Sequence, residues 1–155
     1  MGTVMFYHQT RTTAADTLAV NLPRALRQGW RAMIRSPDPA TLDRLDAELW
    51  LKGGEESFLP HGREGGPQDA DQPVLLGAGA PVNGAKVLAL IDGAGAEDAE
   101  IAVMERVWVL FDGNDDIRLQ AARAQWKAVT AAGHAAQYWS EEGGRWEKKA
   151  ESPAR

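Results

Sequence analysis

Residues 85–111 read AKVLALIDGAGAEDAEIAVMERVWVLF, and this stretch decides the fold. Ala85–Ile91 is almost unbroken in apolar residues, the pattern of a strand covered on both faces. Arg106–Phe111 repeats the pattern, and Ala96–Met104 between them reads as a short helix. A buried strand, a helix and a second buried strand imply a parallel crossover.

The rest of the chain extends the same alternation. Thr3–Tyr7 (TVMFY) is β-branched and aromatic and reads as a strand. Ala14–Gln28 carries Leu18, Leu22 and Leu26 at helical spacing, with Asp16 in the first turn, where the helix dipole favours an acid. Pro23 inside that run would remove one backbone hydrogen bond. Trp30–Ile34 reads as a strand. Ser36-Pro37-Asp38-Pro39 is turn chemistry leading into a helix over Ala40–Trp50, with Leu42, Leu45, Leu49 and Trp50 as its apolar positions. Lys52–Gln72 is irregular and rich in Gly and Pro, and Pro73–Leu76 is a further strand. Asp115–Ala131 reads as the last long helix. Gln137–Trp139 and Arg145–Lys148, either side of Glu141-Glu142-Gly143-Gly144, read as a terminal hairpin. The expectation is one α/β domain over residues 1–149, in three layers, with a frayed tail at 150–155.

Composition narrows the function. The chain has 155 residues, 44% hydrophobic and 25% charged, as in a soluble globular domain. It has no cysteine, which excludes a disulfide framework, a thiolate zinc site and a cysteine nucleophile, and fits a reducing compartment. A net charge of −5 argues against direct nucleic-acid binding. No apolar run reaches membrane-spanning length, and Met1–His8 lacks the basic region of a signal peptide. A cytoplasmic location is expected.

Catalytic signatures are missing. The first strand runs into Gln9-Thr10-Arg11-Thr12, with no glycine to let a pyrophosphate approach the backbone. Gly77 and Gly79 are followed by Val82 where a dinucleotide fingerprint needs its third glycine, and Gly93 and Gly95 by Asp98. His8, His61 and His134 form no metal-ligand motif, and no nucleophile elbow occurs. No catalytic residue, metal or cofactor is expected. The alternative is a small nucleotide-binding domain or enzyme using the Gly-rich segments around Gly77–Gly84.

Tryptophan is the unusual residue, with six in the chain. Trp108 lies in an apolar run and reads as core, and Trp30 as packing. Arg123, Trp126 and Lys127 share one face of the last helix, and no acid occurs from Ile117 to Tyr138. An indole between two cations suits a ligand with an apolar end and nearby carboxylates. The plainer reading is an amphipathic helix with a half-buried tryptophan beside solvated cations. Trp139 and Trp146 flank the hairpin and either wall the same pocket or close the sheet edge. Trp50 and Phe58 are either a lid on the core or an interface anchor.

MFYH at 5–8, LDRLDAELW at 42–50, ESFLPHG at 56–62, VLFDG at 109–113 and ARAQWKAVTAAGH at 122–134 together resemble the chi subunit family of bacterial DNA polymerase III. The resemblance covers nearly the whole chain. It implies a Rossmann-like, mostly parallel sheet with helices on both faces and no nucleotide-binding fingerprint. It also implies a non-catalytic clamp-loader subunit with two partners. One is the acidic, phenylalanine-ended C-terminal tail of single-stranded-DNA-binding protein, taken by positions that match Arg123, Trp126 and Lys127, with Trp139 or Trp146 as the C-terminal aromatic. The other is a psi-like subunit, facing positions that match Trp50 and Phe58. A pocket position that is valine in some members falls at Asp112, an acid that would repel an acidic tail.

Overall fold

The computed structural model describes residues 2–52 and 61–155. In chain order the elements are β1 (Thr3–Gln9), α1 (Ala14–Arg27), β2 (Ala32–Arg35), α2 (Pro39–Lys52), β3 (Gly62–Arg63), β4 (Val74–Gly77), β5 (Val87–Leu90), α3 (Asp98–Val103), β6 (Arg106–Asp112), α4 (Asp116–Ala131), β7 (Ala135–Ser140) and β8 (Glu147–Ser152). The strands form one sheet in the order β3-β4-β2-β5-β6-β1-β7-β8. Every pairing is parallel except that of β8 with β7. The α/β class and the mostly parallel sheet are as the sequence implies.

Strand alternation divides the core in two. Ile34, Leu76, Ala89, Trp108 and Leu110 meet Leu18 and Leu22 of α1 and Leu42, Leu45 and Leu49 of α2. Phe6, Met33, Leu88, Val109 and Phe111 turn the other way, towards Ile101 of α3 and Ala122 and Trp126 of α4. Helices therefore cover both faces.

Local chemistry sets the helix ends. Thr13 and Asp16 form a capping box at α1, Asp16 N–H donating to Thr13 Oγ1 at 3.2 Å and Thr13 N–H to Asp16 Oδ2 at 2.9 Å. Asp38 accepts from Ala40 N–H at 3.0 Å, and Pro39 takes the first helical position of α2, where its missing N–H costs nothing. α1 continues through Pro23 to Arg27. An interior proline costs about 3 kcal/mol. Burying Leu18 and Leu22 completely returns about 1.5–3 kcal/mol each, so packing wins.

Most element ends differ from expectation by one to three residues, and three differences bear on the core and the sheet edge. Trp30 stands outside β2, packed on the α1 side of the core. The hairpin strands are longer and shifted, because β7 takes its length from its parallel partner β1. Residues 150–152 belong to β8 rather than to a frayed tail, and Arg155 N–H donates to Gly133 O at 2.9 Å.

Candidate functional site

α4 starts at Asp115, whose carboxylate accepts from Ile117 N–H at 3.0 Å and Arg118 N–H at 3.3 Å. One turn after Ala122 enters the core, Trp126 lies half-buried on the same helix. Its ring meets Phe6 edge-on at 5.5 Å and Tyr138 at 6.0 Å. Arg123 and Lys127 flank it, both exposed. Neither has a carboxylate at ion-pair distance among the described residues. Arg123, Trp126 and Lys127 thus form the cation-flanked indole that their spacing implies.

A polar group closes this aromatic cluster. The Tyr138 hydroxyl lies 2.8 Å from Nδ1 of buried His8, whose Nε2 lies 3.1 Å from the Glu142 carboxylate. Burial pushes the Tyr138 hydroxyl above the ordinary phenol value; Arg123 pulls it back and Glu142 adds to the rise. The imidazole sits so close to Gly113 that a Cβ there would be 1.9 Å from His8 Cδ2.

Trp139 and Trp146 do not join this surface, which corrects the single-pocket expectation. Trp139 pairs in register with Tyr7, and Tyr138 with Phe6, so the two neighbours face opposite sides of the sheet. Trp146 meets Tyr7 edge-on at 5.5 Å. Both tryptophans line a cleft of about 480 Å³ on the α1 side, with Met5, Tyr7, Val20, Asn21 and Arg24. Trp50 lies in the last turn of α2, half exposed, with its ring 4.3 Å from that of buried His61. Phe58 lies outside the described residues. Asp112 follows Phe111 at the end of β6 and lines a separate cavity at the C-terminal ends of the strands, where it accepts from Asn114 N–H at 2.9 Å.

The loops a phosphate would need are filled from within. Glu141, buried, accepts from the N–H groups of Arg11 at 3.1 Å and Thr12 at 3.0 Å and from the Thr12 hydroxyl, occupying the β1–α1 turn. Glu64 accepts from Ala78 N–H at 2.8 Å and Gly79 N–H at 3.3 Å. A Cβ on Gly77 would lie 2.2 Å from Glu64 Cδ, so that glycine makes room for a carboxylate of the chain itself. Arg35 donates to Gly79 O and Gly95 O and holds Glu100 at 3.0 and 2.6 Å, tying both glycine segments down. Sequence reading missed these acids because nothing local marks a partner roughly a dozen to more than a hundred positions away. Among the described residues, no cluster of three metal-ligating side chains occurs and no helix is long and apolar enough to cross a membrane.

The fold and site define an α/β protein with internally satisfied loops and tryptophan-centred surfaces on both sides of the sheet. The family model for DNA polymerase III chi subunit, HolC, matches residues 1–137, and the chain belongs to that family of DNA polymerase III accessory subunits. No curated protein matches the chain. The family match ends at Gln137, so Trp139 and Trp146 lie beyond it.

Proposed function

We propose that this chain is a non-catalytic tether in the DNA polymerase III holoenzyme, working in the cytoplasm and joining the clamp loader to single-stranded-DNA-binding protein. The observation that carries the reading is the pair of exposed cations, Arg123 and Lys127, without carboxylate partners among the described residues beside half-buried Trp126. The terminal phenyl ring of an acidic tail packs on the indole edge, and its carboxylates meet the two cations. Asp112 takes its place in the strand-end cavity instead, which eases the repulsion expected of it. Template coated with many tails raises the effective concentration of weak contacts.

A psi-like subunit is the second proposed partner, docking at Trp50 in the last turn of α2 and at Phe58 further along the sequence. The chain acts as one domain of three-layer, Rossmann-like form, which includes β8 through Ser152. A nucleotide-binding reading of Gly77–Gly84 is disfavoured, because Glu64 occupies the N–H groups a phosphate would use.

The test is calorimetric titration with an acidic peptide ending in Phe. Saturable binding, weakened at least tenfold by Arg123→Ala and by added salt, is expected. Equal binding by wild type and Arg123→Ala would remove the site from α4.

A further inference from the structure

We infer that the cleft between α1 and the β7–β8 hairpin is a second peptide-binding site, taking one large apolar side chain accompanied by a carboxylate. The cleft is on the opposite side of the sheet from α4 and shares no residue with the surface around Trp126.

Its volume, about 480 Å³, is that of a ligand site rather than a packing flaw. Met5, Tyr7 and Trp139 come from adjacent strands β1 and β7, Trp146 from the hairpin turn, and Val20 and Asn21 from α1. Val20 remains 52% exposed, an apolar side chain at the mouth of an apolar cleft. Two large indoles and a phenol around one space match the anchor-receiving centre of protein interfaces.

The charge fixes the second half of the ligand. Arg24 lines the cleft and has no carboxylate partner among the described residues. Burial raises the Tyr7 hydroxyl above the ordinary phenol value, and the hydrogen bond with Asn21 and the charges of Arg106 and Arg24 act against it. Arg106 also lies over the Trp30 ring at 5.4 Å. Asp16 is the one acid in the lining, and its carboxylate is turned to Thr13 N–H. A side chain carrying or adjoining an acid therefore gains Arg24 as a partner. Single-stranded nucleic acid would need a continuous basic track beside the rings, and among the described residues Arg24 is the one cation in the cleft lining.

Nuclear magnetic resonance of the ¹⁵N-labelled full chain tests this, because each tryptophan gives one indole N–H signal, assigned through single Trp→Phe variants. The probes are the peptide Asp-Asp-Glu-Asp-Phe, the same peptide ending in Ala, and a single-stranded oligothymidine. The Phe peptide is expected to shift the Trp139 and Trp146 signals saturably, in wild type and in Arg123→Ala alike. Val20→Glu, a surface change, and Arg24→Glu should each weaken that effect at least tenfold, and the Ala peptide should not produce it. Shifts confined to Trp126 would overturn the cleft site while leaving the α4 reading intact. Shifts of Trp139 and Trp146 by the oligothymidine alone would overturn the peptide as occupant.

Discussion

Tyr138 and Trp139 are consecutive in β7, and the sheet separates their rings: Tyr138 packs on Trp126 under α4, while Trp139 lines the cleft beside α1. Two aromatic surfaces thus stand back to back across one strand. Each can be altered without touching the other, which makes their contributions separable.

Trp126 is both a packing group and an anchor, whereas Lys127 is exposed. Trp126→Ala should cost about 2 kcal/mol of stability, below the range for a fully buried tryptophan, and Lys127→Ala less than about 0.5 kcal/mol. Both should weaken binding of the Phe-ended acidic peptide. Denaturant unfolding paired with peptide titration checks this; unchanged binding by folded Lys127→Ala would contradict it.

Glu141 holds the β1–α1 turn. Removing its carboxylate in Glu141→Ala leaves the N–H groups of Arg11 and Thr12 without their acceptor, at a cost of about 2–4 kcal/mol. Glu141→Gln keeps one acceptor oxygen and should recover part of the loss. Urea midpoints of the three proteins decide it, and an unchanged midpoint for Glu141→Ala would show the turn to be held otherwise.

Glycines divide sharply. Gly113→Ala drives a methyl into the His8 ring and should destabilise by about 1–3 kcal/mol. Gly95→Ala meets nothing within 4 Å and should be neutral or stabilising by up to about 1 kcal/mol. Thermal melts of the pair suffice, and the order of the two melting temperatures is the outcome that matters.

Arg35 holds the Glu100 carboxyl below its ordinary value, chiefly through their hydrogen bonds and against a smaller effect of burial. A depressed acid stabilises the fold above its unfolded value, and that contribution disappears as pH falls through the folded value. The stability gap between wild type and Glu100→Gln should therefore be about 2 kcal/mol at pH 7 and shrink as pH falls from about 4 towards the lower folded value. A gap that does not shrink as pH falls would assign it to packing rather than charge.

The central strands were legible because runs such as Val87–Leu90 and Val107–Phe111 are apolar on both sides, and that pattern has few other causes. Asp16 sits in the first turn of α1, where the helix dipole favours an acid. β3 has no apolar run, being only Gly62 and Arg63 held beside β4, so no periodicity could announce it. The α4 triplet was legible from helical spacing alone. The side of the sheet taken by Trp139 was not, since it depends on the register of β7 against β1. The carboxylates that fill the glycine loops were likewise out of reach, because they act from another strand or hairpin.

β8 has a role beyond closing the hairpin. Without it, β7 would be the border of the sheet, offering unpaired backbone along AAQYWS to any other extended chain. Instead the border reads EKKAES, with Lys148 and Lys149 side by side and a register slip where it passes Tyr138 and Trp139. Charged, irregular borders resist intermolecular strand pairing. The last strand is in this sense a guard against self-aggregation.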